Sequence, residues 1–96
     1  MKVYISIPIS GHDYGKQKAY ANLIKKKFEE VGAEVVTPFE VAPETDKPYS
    51  YYMGLDIEAL LDCDAVYFCP GYELSRGCRL EYSAALTFDK FILKHP

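Results

Sequence analysis

The chain has 96 residues, enough for one domain around one hydrophobic core. Its apolar content of 49% and charged content of 26% are those of an ordinary globular protein. No run approaches the roughly 18 consecutive apolar residues that span a bilayer, so no membrane partner is expected. A net charge of -3 argues against a partner that is a nucleic-acid polymer, because backbone binding needs a concentrated positive patch.

Val3 to Ile7 is a short, β-branched apolar run, the pattern of a strand buried on both faces, and it ends at Pro8. Tyr20, Leu23, Ile24, Phe28 and Val31 then recur at helical spacing up to a stop at Gly32. Within that helix, Lys25-Lys26-Lys27 is balanced by Glu29 and Glu30 and reads as a solvated face. Glu34 to Thr37 predicts a second strand closed by Pro38, and the proline-punctuated stretch from 38 to 50 reads as a loop. A second helix begins near Ser50, with Met53, Ile57, Leu60 and Leu61 as its inner stripe. Ala65 to Phe68 is a third strand, Ser75 to Phe88 a third helix, and Phe91 to Leu93 a last strand.

Strands alternating with helices define an α/β fold. We expect a single flavodoxin/Rossmann-like three-layer sandwich over residues 1–96, with a short parallel sheet ordered 2-1-3-4. In such a sheet a ligand binds beyond the carboxyl ends of the strands, where strand order reverses. That location selects two loops, Ile7 to Gly11 and Cys69 to Gly77. Cys63, Cys69 and Cys78 are odd in number and match no metal or redox spacing. They read as buried thiols in a reducing compartment, with no disulfide and no metal. With no signal-peptide pattern after Met1-Lys2, the expected location is cytoplasmic.

On a helical wheel of the third helix, Gly77, Cys78, Leu80, Ala84, Ala85 and Phe88 fill one arc, and Glu81 falls in its middle. A carboxylate on a buried face needs a partner. It is either a structural glutamate satisfied by a tyrosine or backbone donor, or a reactive group near the strand ends. Asp56, at the edge of the second helix's stripe, is either a solvated acid or the second member of a carboxylate pair. Ser75, Arg76 and Gly77 open the third helix and combine a hydroxyl, a cation and unpaired amides, the makings of an anion site or of a plain helix cap. Ser6, Ser10 and Gly11 supply a second polar rim; no dinucleotide fingerprint is present. Tyr4 reads as core packing, while Tyr49, Tyr51 and Tyr52 are placed either to stack on a base or to cover the core. His12 is assigned to the mouth of the site and His95 to a frayed terminus.

Three segments carry a resemblance. They are Val3 to Gly11, Tyr52-Met53-Gly54-Leu55-Asp56 with Leu61 to Val66, and Leu74-Ser75-Arg76-Gly77-Cys78-Arg79-Leu80-Glu81. In this order they resemble the nucleoside 2-deoxyribosyltransferase superfamily, closest to its small bacterial and phage branch. The resemblance implies Glu81 as nucleophile at C1′, Tyr4 as the group that orients it, and Asp56 as the acid serving the departing base. It also implies substrate contacts at Ser6, Ile7, Ser10, Gly11, Ser75, Arg76 and Gly77, and no cofactor. In that superfamily an aspartate at the position of Ser75 goes with free nucleosides. A Ser-x-Gly-x-x-x-Glu arrangement, matched by Ser75, Gly77 and Glu81, goes with hydrolysis of 2′-deoxynucleoside 5′-monophosphates. The expected partner is therefore a deoxynucleotide or deoxynucleoside, and the leading activity an N-glycosidase. Base-exchanging transfer and a non-catalytic nucleotide sensor are the alternatives. The tyrosine-rich segment 49–52 offers apolar area for a homodimer or higher even oligomer, with the second helix in the interface.

Overall fold

The computed structural model describes residues 1–96. Its elements run β1 (Lys2–Ser6), α1 (Tyr14–Glu30), β2 (Glu34–Val36), α2 (Pro38–Val41), α3 (Tyr49–Leu61), β3 (Ala65–Phe68), a 3-10 turn (Tyr72–Leu74), α4 (Arg76–Thr87) and β4 (Phe91–Lys94). All strand pairs are parallel and the sheet order is β2-β1-β3-β4, as the alternation predicts. β1 pairs β3 from Val3 opposite Ala65 to Ser6 opposite Phe68, so these two strands end side by side. Strand order reverses between them, and the loops after β1 and β3 open at one place.

The pleat of β1 sorts its residues to the two faces of the sheet. Val3, Ile5 and Ile7 join Ala21 and Ile24 of α1, together with Val35, Phe39 and Ala65, in one core. Tyr4 faces the other way, into a core with Leu60 of α3, Ala85 of α4, Cys63, Val66 and Phe68. Helices thus cover both faces, giving three layers. Cys63, Cys69 and Cys78 are all free and buried. No helix is long and apolar enough to cross a membrane.

Several elements differ in detail from the sequence reading. The stretch after β2 is not all loop. Thr37 and Glu40 form a reciprocal capping box with Pro38 in the first turn, and this starts the one-turn helix α2. Lys25 pairs with Glu40 of that helix at 2.7 Å rather than being offset only by Glu29 and Glu30. Leu23 and Val31 are exposed and Ala21 is buried instead; Val31 is already the C-cap, where helical phase is lost. For the same reason Phe88, the C-cap of α4, is exposed, and Leu80 lies on that helix's flank. The buried stripe of α4 narrows to Cys78, Glu81 and Ala85. His95 is no frayed end, since its amide donates to the Phe68 carbonyl and extends the β3–β4 ladder.

Leu60 is completely buried between α3 and the sheet. Leu60→Ala leaves a void there, and we expect a loss of about 2–5 kcal/mol. Urea denaturation checks this: a midpoint unchanged from the parent chain would mean that α3 does not pack on the sheet as described.

Candidate active site

Tyr4 and Ser6 are two residues apart on β1 and therefore project to the same face, under α4. Glu81 is in the second turn of α4, in register above them. The Tyr4 hydroxyl donates to Glu81 Oε2 at 2.7 Å, and the Ser6 hydroxyl donates to Oε1 at 2.7 Å. Both carboxyl oxygens are thereby held by neutral donors, and the residue is only 4% exposed. No cation pairs with it. Burial pushes its pKa up to about 8, the two hydroxyls pull it down by favouring the ionised form, and Asp56 adds to the upward push. Tyr4 is shifted well above the usual phenol range by burial, then by Glu81 and Asp56, so it remains a protonated donor.

Asp56 is not at the edge of α3. With Leu60 one turn on, it is one of the helix's two buried residues, because the inner face is centred on positions 56 and 60. Its Oδ1 is fully enclosed without a hydrogen-bond partner. Burial alone raises its pKa to about 7. Two acids thus share one pocket, each with a proton affinity near neutrality, the arrangement that proton transfer at physiological pH requires.

The pocket is an open cleft of about 620 Å³ beyond the strand ends. Glu81 and Asp56 line it, as do Ile7 and Ser10 from the loop after β1, and Ser75, Arg76 and Gly77 from the start of α4. Tyr4 is buried in the core with its hydroxyl on Glu81. Two predicted rim residues are placed elsewhere. Ser6 is wholly buried behind the Glu81 carboxyl group rather than on the rim. Gly11 is exposed, with φ +80, and does not line the cleft. Arg79 and His12 also stand outside it. Tyr49 and Tyr52 form part of the wall; Tyr51 does not line it, and its hydroxyl donates to the lining residue Glu44 at 3.4 Å.

Sequence reasoning missed Tyr14, Lys47 and Cys78 as cleft residues. Cys78 had a signal, since it shares the buried arc of the wheel with Glu81. Its thiol, raised to about 11 chiefly by burial, stays protonated. Lys47 had none. It arrives because its amide is tied to the Tyr52 hydroxyl at 2.9 Å, a contact between a loop and a helix. The start of α4 is capped by Ser75, whose Oγ accepts from the Cys78 amide at 3.2 Å. Arg76 and Gly77, first in the helix, keep backbone N–H groups with no acceptor one turn earlier.

The same Rossmann-like fold is found in two 2-deoxyribosyltransferases and a CMP N-glycosidase. The chain superimposes on the 2-deoxyribosyltransferase of Bacillus psychrosaccharolyticus with a TM-score of 0.74 at 18% identity, covering 98% of this chain and 71% of that one. For the CMP N-glycosidase BcmB of Clostridium botulinum the TM-score is 0.69 at 21% identity, with 98% and 70% covered. For the 2-deoxyribosyltransferase of Leishmania mexicana it is 0.75 at 19% identity, with 97% and 62% covered. No curated protein matches the sequence. The chain belongs to the family described as a domain of unknown function, DUF4406, which matches residues 1–94.

Both acids have folded-state pKa values above those of an unfolded chain. Their contribution to stability is therefore present in full below about pH 4 and is lost as the pH rises through about 7 to 8. Glu81→Gln keeps the shape and abolishes the charge. It should be more stable than the parent at pH 9, by an amount on the order of a few kcal/mol, with the difference fading towards pH 4. Thermal melts at both pH values measure it; a stability difference independent of pH would mean that Glu81 is not buried against its ionised form.

Proposed function

We propose that the protein is an N-glycosidase that cleaves the base–deoxyribose bond of 2′-deoxynucleoside 5′-monophosphates through a covalent intermediate on Glu81. The observation that carries the proposal is the buried Glu81 carboxyl group, held at both oxygens by Tyr4 and Ser6 and open to a cleft that also holds Asp56. The shared fold of the two transferases and the CMP N-glycosidase supports the same reading.

In the first step the ionised Glu81 attacks C1′, and the C1′–N bond breaks with its electron pair going to the base. Asp56 supplies the proton that the departing nitrogen takes up. In the second step water attacks C1′, Asp56 accepts its proton, and the Glu81 ester opens. The hydroxyls of Tyr4 and Ser6 fix the orientation of the carboxylate and stabilise its charge at no cost in further ionic groups. Ser75, Arg76 and the free amides at the start of α4 receive the 5′-phosphate dianion. Residues 1–96 act here as one cytoplasmic unit, and the exposed Tyr49 and Tyr51 on α3 favour a homodimer or higher even oligomer.

A second reading, exchange of one base for another, is favoured by the two transferases with this fold. It shares the first step and differs only in what resolves the intermediate. A panel of deoxynucleotides, incubated with and without a second free base and resolved by chromatography, separates the two. Free base plus deoxyribose phosphate marks hydrolysis; a new nucleotide marks transfer; binding without either marks a sensor.

Four outcomes are expected. Glu81→Gln lowers turnover by about a thousandfold or more while nucleotide binding persists, because the loss falls on the transition state. A 2′-fluoro substrate leaves its sugar on the peptide containing Glu81, as mass spectrometry would show; near-normal turnover in Glu81→Gln would remove the nucleophile assignment. The reactive form needs one proton shared between two acids, so kcat/KM should peak between about pH 7 and pH 8 and fall on both sides. A rate flat from pH 5 to 9 contradicts the acid–base pair. Ser75→Asp sets a negative charge against the phosphate and should weaken monophosphate binding at least about tenfold more than binding of the matching nucleoside. Equal effects on the two ligands would reduce Ser75 to a helix cap.

A further inference from the structure

Tyr49, the first residue of α3, crosses the cleft to the start of α4. A Cβ built on Gly77 would lie 2.8 Å from the Tyr49 hydroxyl and 3.3 Å from Met53 Sδ. No side chain larger than hydrogen fits at position 77 without moving the tyrosine. The φ of Gly77 is not positive, so the glycine is required by this approach and not by the backbone. The ring is about half exposed, and its hydroxyl makes no hydrogen bond within the chain. An unpaired donor therefore stands beside the first turn of α4, at the side of the cleft where Ser75 and Arg76 also lie.

We infer that Tyr49 is a specificity-determining residue of the cleft: its hydroxyl donates to the phosphate of a nucleoside monophosphate held at the start of α4, and Gly77 makes room for it. The inference rests on the reading of that helix start as the phosphate site. Two further features agree with it. Tyr49 lines the same cleft as Arg76, Glu81, Cys78 and Asp56, and all four act on its phenol electrostatically. Burial and Glu81 raise its pKa against the opposing pull of Arg76, which keeps the phenol a protonated donor through the pH range of the reaction. Together with Ser75 and Arg76, Tyr49 supplies a donor from a second helix, so the phosphate would bridge α3 and α4.

The test compares KM for a deoxynucleoside 5′-monophosphate and for the matching nucleoside in Tyr49→Phe, Gly77→Ala, the double variant and Tyr51→Phe. Tyr51 sits on the same helix but outside the cleft. Tyr49→Phe should cut the preference for the monophosphate about tenfold, the usual effect of losing one hydrogen bond to a charged group. Gly77→Ala should cut it to a similar extent by displacing the hydroxyl. The double variant should lose little more than either single one, because both act on the same contact. Tyr51→Phe should retain the preference. Parent enzyme that prefers monophosphates, with the preference intact in Tyr49→Phe, overturns the role of Tyr49 alone. So does an equal loss in Tyr51→Phe, or full additivity in the double variant. A parent protein that neither cleaves nor binds monophosphates overturns the phosphate-site reading, and this inference with it.

Discussion

The bond pair from Tyr4 and Ser6 to Glu81 is the constraint on which the rest of the site depends. A carboxyl group taken out of water without a cation is costly, and two neutral hydroxyl donors offset only part of that cost. The outcome is a carboxyl group whose proton affinity lies near neutrality rather than in the ordinary acid range. The same contacts tie α4 to β1, so the helix cannot shift along the sheet without breaking them. Geometry and reactivity are therefore set by one interaction.

Asp56 shows the other side of that balance. With no donor on Oδ1 and no cation beside it, its proton is held by burial alone. Glu81 is held in place by its partners, whereas Asp56 Oδ1 is enclosed without one. The two acids of the cleft therefore sit in different surroundings, one hydrogen-bonded at both oxygens and the other held by burial alone. The start of α4 then adds the positive end of the helix dipole, a serine hydroxyl and Arg76 along the same wall.

Element order, parallel pairing and the strand order 2-1-3-4 were legible in the sequence, because alternating buried strands and amphipathic helices admit few arrangements. Glu81 was legible too, as a carboxylate on the apolar arc of a helix. Where the reading strayed, tertiary packing decided between residues of similar character. Leu23 and Leu80 are as apolar as their neighbours, yet they face outwards because the contact stripe of each helix is narrower than its apolar arc. Asp56 moved from the edge of its stripe to the centre for the complementary reason: a wheel weighted by hydrophobicity places an acid at the border, while the cleft beside α3 accommodates it on the inner face. The short helix α2 was signalled by Thr37-Pro38-Phe39-Glu40, but that capping pattern is easily read as the end of a strand.

The sequence by itself determined the class of fold, the loops that meet at the switch point, and the one acid that could not be explained as surface. Period-two and period-3.6 patterns act over a few residues and are printed in the order of the chain. The tertiary structure alone decided that Ser6 belongs to Glu81 rather than to the rim, that Lys47 reaches the cleft, and that Tyr49 stands over Gly77. Each of these joins residues from separate elements, the first of them 75 positions apart. Only the docking of helices on the sheet brings such residues within hydrogen-bonding distance, and no local pattern encodes it.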